Sequence, residues 1–367
     1  MNSSQQSFTQ RHLHLDGTLL VALLLLSGVG LITLYSATNQ SLGDIQRQLI
    51  RLSLAFLVMV VVAQVPPRTL RRWAPWVFLA GVGMLVLVLF FGTVGKGAQR
   101  WLDLGFFRFQ PSELMKLAIP LTIAWFLADR DLPPRLHHVI LAAFMIALPT
   151  GLIVLQPDLG TALLVGAAGF FVLFLAGLRW RVIVSVVGVI AALAPVFWFF
   201  LMHEYQKHRV LTLFNPERDP LGTGYHIIQS TIAIGSGGIY GKGWLNGTQS
   251  HLDFLPERHT DFIFAVFSEE FGLLGVLLLL TLYLFIIGRG MYIALNAQDN
   301  FGRLVAGSLA LTFFVYVFVN IGMVSGLLPV VGLPLPLISY GGTSMVTLMA
   351  AFGILMSIHT HRKLWAS

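Results

Sequence analysis

The feature that most constrains this chain is the recurrence of apolar runs about 20 residues long, each enough to cross a hydrocarbon layer at about 1.5 Å rise per residue. They recur from near Gly17 to the last thirty residues. Placed by hydropathy, the spans fall near 17–36, 48–65, 73–92, 112–128, 138–156, 160–178, 182–202, 262–287, 302–324 and 340–358. Composition agrees, with 56% hydrophobic and 11% charged residues, against roughly a quarter charged in a soluble domain. The expected fold is an all-α polytopic membrane protein of about ten transmembrane helices. The segment before Gly17 is polar and no small-residue cleavage site follows the first run, so that run reads as a retained span and the mature chain is expected to start at Met1.

Cysteine is absent, which excludes disulfides, thiol nucleophiles and cysteine metal sites and leaves the redox compartment open. The net charge of +7 comes largely from arginines in short loops, which points to membrane orientation and anionic lipid before nucleic acid. With a cytoplasmic N-terminus, Arg11, Arg68, Arg71, Arg72, Arg130, Arg135, Arg179, Arg181, Arg289, Arg303, Arg362 and Lys363 all fall inside. Both termini are then cytoplasmic. The opposite face carries a long insertion between the seventh and eighth spans, about 203–260, rich in glycine and with an apolar patch from Ile227 to Ile234 suited to a surface-lying amphipathic element. A loop of this length marks a functional surface. No repeat or linker divides the chain, so 1–367 is expected to form one membrane domain.

Asp261 stands where this loop re-enters the membrane, just before Phe262-Ile263-Phe264. It fits either a cap for the following helix or a general base that takes a proton from a sugar hydroxyl while a lipid tail stays in the bilayer. Ser268, Glu269 and Glu270 follow two turns deeper, on the order of 10 Å along the axis, with Ser268 on the face of Asp261 and Glu270 roughly opposite. Glu113 and Lys116, three apart in Gln110-Pro111-Ser112-Glu113-Leu114-Met115-Lys116, suit a structural ion pair or a cation for a lipid-linked phosphate. Lys96 and Arg100, before them in a Gly- and Trp-bearing loop, suit an interface anchor or an anion-binding loop. Lys242, between Gly241 and Gly243, is a weak phosphate-binding candidate that lacks P-loop spacing.

Asp158, in Gln156-Pro157-Asp158-Leu159-Gly160-Thr161, is placed either to cap the sixth helix or to face the same cavity as Asp261. From Leu328 to Ser344, prolines and glycines forbid one regular helix, so a broken or re-entrant segment before the tenth helix is expected, carrying Ser339 and Ser344. Histidines do not gather at ligand spacing, so no built-in metal is expected. A divalent cation, Mg or Mn, would arrive with a phosphate.

Together the Gln110-to-Lys116 motif, the Gln156-to-Thr161 turn, the Pro256-to-Asp261 approach and the Gly332-x-Pro334-x-Pro336-x-x-Ser339-Tyr340-Gly341-Gly342-x-Ser344 segment resemble the shape, elongation, division and sporulation (SEDS) family of peptidoglycan glycosyltransferases. The short termini resemble its elongation branch. The resemblance implies polymerisation of lipid II outside the membrane, inverting at the donor anomeric carbon, with release of undecaprenyl pyrophosphate. It also implies Asp261 as the essential acid and Glu113 with Lys116 as an internal ion pair near the substrate cavity. The partners it implies are a class B penicillin-binding protein and other elongation-complex proteins, at the bacterial cytoplasmic membrane. Ten spans with intramembrane charges and a broken helix also suit a lipid-linked precursor flippase, and a non-enzymatic scaffold is a third reading. The concentration of chemistry on one face favours the polymerase.

Overall fold

The computed structural model describes residues 14–95, 98–103, 105, 108–202, 204–219, 222–251 and 257–361. Lys96, Arg11, Arg362, Lys363 and Pro256, singled out above, lie outside the described residues. Ten helices take up the ten expected spans: α1 (Gly17–Ala37), α2 (Leu42–Ala63), α3 (Pro67–Phe91), α4 (Pro111–Leu127), α5 (Leu136–Leu155), α6 (Leu159–Leu175) and α7 (Trp180–Val196), then α11 (Ile263–Leu295), α12 (Asn300–Val324) and α13 (Thr343–Thr360). Among the described residues eight helices are long and apolar enough to cross a membrane, α7 being counted with its continuation to Phe200, and α6 is a shorter apolar helix. The chain is a multi-pass membrane protein.

Local chemistry sets the helix ends. Asp16, Ser41, Asp158 and Asp299 each accept a backbone N–H in the first turn of α1, α2, α6 and α12, and Pro67 opens α3. α4 is the most enclosed helix, packed against α3, α5, α6, α12 and α13, which is why it tolerates Glu113 and Lys116 in its first two turns.

α11 is not one straight rod. Gly272 leaves the helical region at φ 62° and ψ −165°. The part after it, about 34 Å long at helical rise, suffices to span, so the turns before it need not lie at membrane depth. Ser268, Glu269 and Glu270 stand in the turns before this kink. The kink is where residues 238–243 of the long loop dock, through Lys242 N–H to the Glu269 carbonyl, Gly243 N–H to the Glu270 carbonyl, and Leu273 and Leu274 N–H to the carbonyls of Gly238 and Ile239.

The long loop is largely helical: α8 (Glu204–Phe214), α9 (Thr223–Ser236) and the single turn α10 (Thr248–His251). α9 covers the apolar patch read from the sequence, burying Ile227, Ser230 and Ala233, with the Ser230 hydroxyl donating to the Val324 carbonyl at 2.8 Å. One departure from an all-α chain is a small antiparallel sheet, β1 (Thr93–Gly95), β2 (Ala98–Asp103) and β3 (Arg108–Phe109), between α3 and α4. From Leu328 to Gly342 the chain is irregular, as its prolines require, and it is buried at Leu333, Leu335, Leu337 and Ile338.

Near both chain ends, buried Asp16 accepts from Arg289 Nη2 at 2.7 Å and meets His359 Nδ1 at 2.8 Å. Burial opposes its ionisation, but the bonds from His359, Arg289 and Leu19 N–H outweigh burial and hold the carboxyl well below the usual carboxylate range. The sheet, α8, α9 and the irregular segment lie at the other end.

Candidate active site

At that second end lies a cavity of about 500 Å³. Its walls come from five stretches distant in sequence: the sheet, the α5–α6 turn, α8 with Met202 before it, the turn entering α11, and the irregular segment.

Asp261 lines the cavity. α11 begins one residue after Phe262, which occupies the cap position without a side-chain capping bond. The carboxylate lies against Gly332, where an added Cβ would stand 3.4 Å from Asp261 Oδ2 and where φ is +81°. Both flanks of the aspartate are fixed. The Ser339 hydroxyl accepts from Leu335 N–H at 2.7 Å and donates to the Thr260 carbonyl at 2.6 Å, and Tyr340 N–H donates to the His259 carbonyl at 2.8 Å. From α12, buried Asn320 donates to the carbonyls of Asp261 and Leu333. The irregular segment and the Asp261 turn are thus laced together around the carboxylate.

Asp158 takes up both of its expected positions. Its Oδ1 accepts Thr161 N–H at 3.2 Å as the α6 cap, and it lines the same cavity as Asp261. Gln110 Nε2 donates to its Oδ2 at 3.2 Å, and Arg100 Nε stands 3.7 Å from that oxygen. Arg100, carried on β2, also donates to the Pro157 carbonyl at 2.7 Å and lines the cavity. Arg209 is the second arginine on the described walls. Residues 202, 206, 209 and 210 all face the cavity, the spacing of one helical stripe, and Gln206 is buried there. Asn320, Arg209 and Gln206 were not singled out from the sequence, although the stripe in Met202-x-x-x-Gln206-x-x-Arg209-Val210 was a readable signal.

Other candidates lie apart from the cavity. Lys116 Nζ donates to Glu113 Oε1 at 2.6 Å, and its ammonium stands 5.1 Å from the centre of the Tyr316 ring, so its charge is balanced inside the bundle. Lys242 donates to Glu269 Oε1 at 2.7 Å and to Thr248 at 2.6 Å. Glu269 also accepts Gln249 N–H at 3.0 Å and so fastens the loop to α11, while Glu270, bonded to the Ser36 hydroxyl, ties α11 to α1. The Ser268 hydroxyl donates to the Phe264 carbonyl at 2.7 Å within its own helix. Ser344 opens α13 beside Gly341. Among the described residues no three carboxylate or imidazole side chains gather as a metal site.

A cavity that pairs an anchored carboxylate with two arginines, at one end of an apolar bundle, suits deprotonation of a neutral nucleophile beside a departing anion. Comparison with known proteins narrows that chemistry. The family model for FtsW, RodA and SpoVE, described as cell cycle protein, matches residues 13–364. Peptidoglycan glycosyltransferase MrdB of Escherichia coli K12 is 56% identical over 363 residues, covering 99% of this chain and 98% of that protein. The rod shape determining protein RodA of Thermus thermophilus superposes with a TM-score of 0.73 at 30% identity, over 95% of this chain and 98% of that one. A chain from a structure described as structural coordination of polymerization and crosslinking by a peptidoglycan synthase complex superposes with a TM-score of 0.83 at 36% identity, over 95% of this chain and 99% of that one.

Proposed function

The chain belongs to the FtsW, RodA and SpoVE family, and from that premise we propose that it is a peptidoglycan glycosyltransferase that polymerises lipid II during cell elongation. The observation that carries this reading is Asp261, held on both flanks and lining a cavity that also holds Arg100 and Arg209.

In the proposed reaction Asp261 takes the proton of the acceptor sugar's 4-hydroxyl as its oxygen forms a bond to the donor anomeric carbon. The bond from that carbon to the diphosphate breaks, and its electron pair leaves as undecaprenyl pyrophosphate. Arg100 and Arg209 neutralise the departing charge. A single displacement inverts the anomeric centre. Of the two cavity carboxylates, Asp158 is engaged by Thr161 N–H, Gln110 and Arg100, so the donor set does not fit a resident Mg or Mn ion. Any such cation would come with the substrate's diphosphate.

The arginines of the loops at the Asp16 end favour that end as cytoplasmic, with both termini inside and Asp261 on the outer face of the bacterial cytoplasmic membrane. The likeness to a chain from a peptidoglycan synthase complex supports a class B penicillin-binding protein as partner, beside other elongation-complex proteins.

The test supplies lipid II to the purified protein with its partner and compares glycan from the native chain and Asp261→Asn. Glycan from the native chain alone supports the reading, and equal product from both removes Asp261 as the base. Transfer of lipid II across vesicles without any polymer would replace this reading with the flippase.

A further inference from the structure

Thr260 and Asp261 face the large cavity, but the two residues before them face elsewhere. Arg258 and His259 line a second cavity of about 230 Å³ on the other side of the same turn, with Thr38, Asp44 and Tyr340. Tyr340 lines both cavities. The turn that carries the base is therefore a partition between two spaces, with the tyrosine as their common wall.

We infer that the second cavity is the acceptor-sugar subsite: it takes the pyranose ring whose hydroxyl reaches past Tyr340 to Asp261, while the large cavity holds the donor and its diphosphate. This rests on the glycosyltransferase reading. That reaction needs two saccharides at one carboxylate at the same time, and the diphosphate's natural place is the cavity with the two arginines. The lining of the second cavity has the composition that recognises sugar hydroxyls. The Asp44 carboxylate accepts, the Arg258 guanidinium donates, and the Thr38 hydroxyl, which donates to the Leu34 carbonyl at 2.9 Å, keeps its oxygen as an acceptor. Its volume suits one ring rather than a disaccharide with its peptide, so the remainder of the acceptor lies outside it.

The walls are fixed before any sugar arrives, which keeps the ordering cost of binding low. Tyr340 is pinned through its N–H to His259, its ring lies 4.5 Å under the Arg51 guanidinium, and the His259 ring meets it edge-on at 6.0 Å. Thr38 and Asp44 flank the short α1–α2 turn, which is tied by the Ser41 hydroxyl accepting Asp44 N–H at 3.3 Å. Two N-terminal helices that contribute nothing to the large cavity thereby gain a part in the reaction.

The experiment uses the full chain with its crosslinking partner. The first variant, Thr38→Trp, fills the second cavity without changing any charge. The second, Asp44→Asn, removes only its acceptor carboxylate. Benzoylphenylalanine at position 38 is the photoprobe, with radiolabelled lipid II as ligand. Glycan synthesis should fall at least tenfold in Thr38→Trp. In Asp44→Asn the KM for lipid II should rise about tenfold with kcat within twofold, and the probe should label lipid II even when Asp261 is also changed to Asn. A native chain that polymerises while Asp44→Asn keeps the native KM and position 38 stays unlabelled overturns the subsite alone. A native chain that makes no glycan overturns the glycosyltransferase reading beneath it.

Discussion

One side-chain nitrogen of Asn320 donates to the carbonyl of Asp261 at 2.9 Å and to that of Leu333 at 2.6 Å, and the residue is fully buried. It ties the turn that carries the carboxylate to the segment that carries Gly332, against which that carboxylate rests. Each bond contributes about 1 kcal/mol to stability, but the geometry they impose matters more, because a displacement of about 1 Å at a reacting group costs on the order of a hundredfold. Asn320→Ala should lower kcat for glycan synthesis by about ten- to a hundredfold, with KM nearly unchanged. Steady-state kinetics on lipid II decide it, and a rise in KM with kcat unchanged would mean that Asn320 serves binding instead.

Glu113 and Lys116 are each 5% exposed and form a pair at 2.6 Å. Removing one partner leaves an uncompensated buried charge, at a cost of about 3–5 kcal/mol, whereas replacing both with neutral residues of similar volume recovers much of it. Thermal unfolding in detergent should therefore rank Glu113→Gln and Lys116→Met well below the double variant.

Gly272 and Gly241 meet where the loop docks on α11. A Cβ on Gly272 would run into the Gly241 nitrogen and the Ile239 carbonyl, and one on Gly241 into the Glu270 carbonyl, with φ positive at both. Either alanine variant should lose about 2–4 kcal/mol, through strain and lost loop contacts. Limited proteolysis should then cut near residues 238–251 faster than in the native chain.

Asp16 has its carboxyl held below the usual range by His359, Arg289 and Leu19 N–H against the opposing effect of burial. A folded value below the unfolded one, about 3.9, contributes stability that is present above that pH and is lost as pH falls toward the folded value. Asp16→Asn should unfold at lower temperature than the native protein at pH 7, and the gap should narrow below about pH 4. A gap independent of pH would mean that the cap at Leu19, and not the charge, is what Asp16 supplies.

The spans were legible because lipid permits only closed hydrogen bonding, which compels long apolar runs wherever the chain crosses. Asp158 and Asp261 were legible as a pair because both stand at helix entrances on one face. The kink at Gly272 was not, since Gly275, three residues on, carries the same side chain and stays helical. What separates them is the docking of Gly238 to Gly243, a contact between distant parts of the chain. The pairing of Glu269 with Lys242 depends on the same docking. Arg209 is hard to see in the sequence because its short polar helix is embedded in an insertion whose dominant signal is glycine.

The packing of α13 along α2, with Asp16 joined to His359, binds the first described helices to the last. A ribosome delivers those partners far apart in time. Gly332, Ser339 and Tyr340, which hold the Asp261 turn, are made only after α11 and α12. A chain that has grown only through α12 therefore has its carboxylate without its setting, and the capacity for chemistry arrives only once the irregular segment has followed.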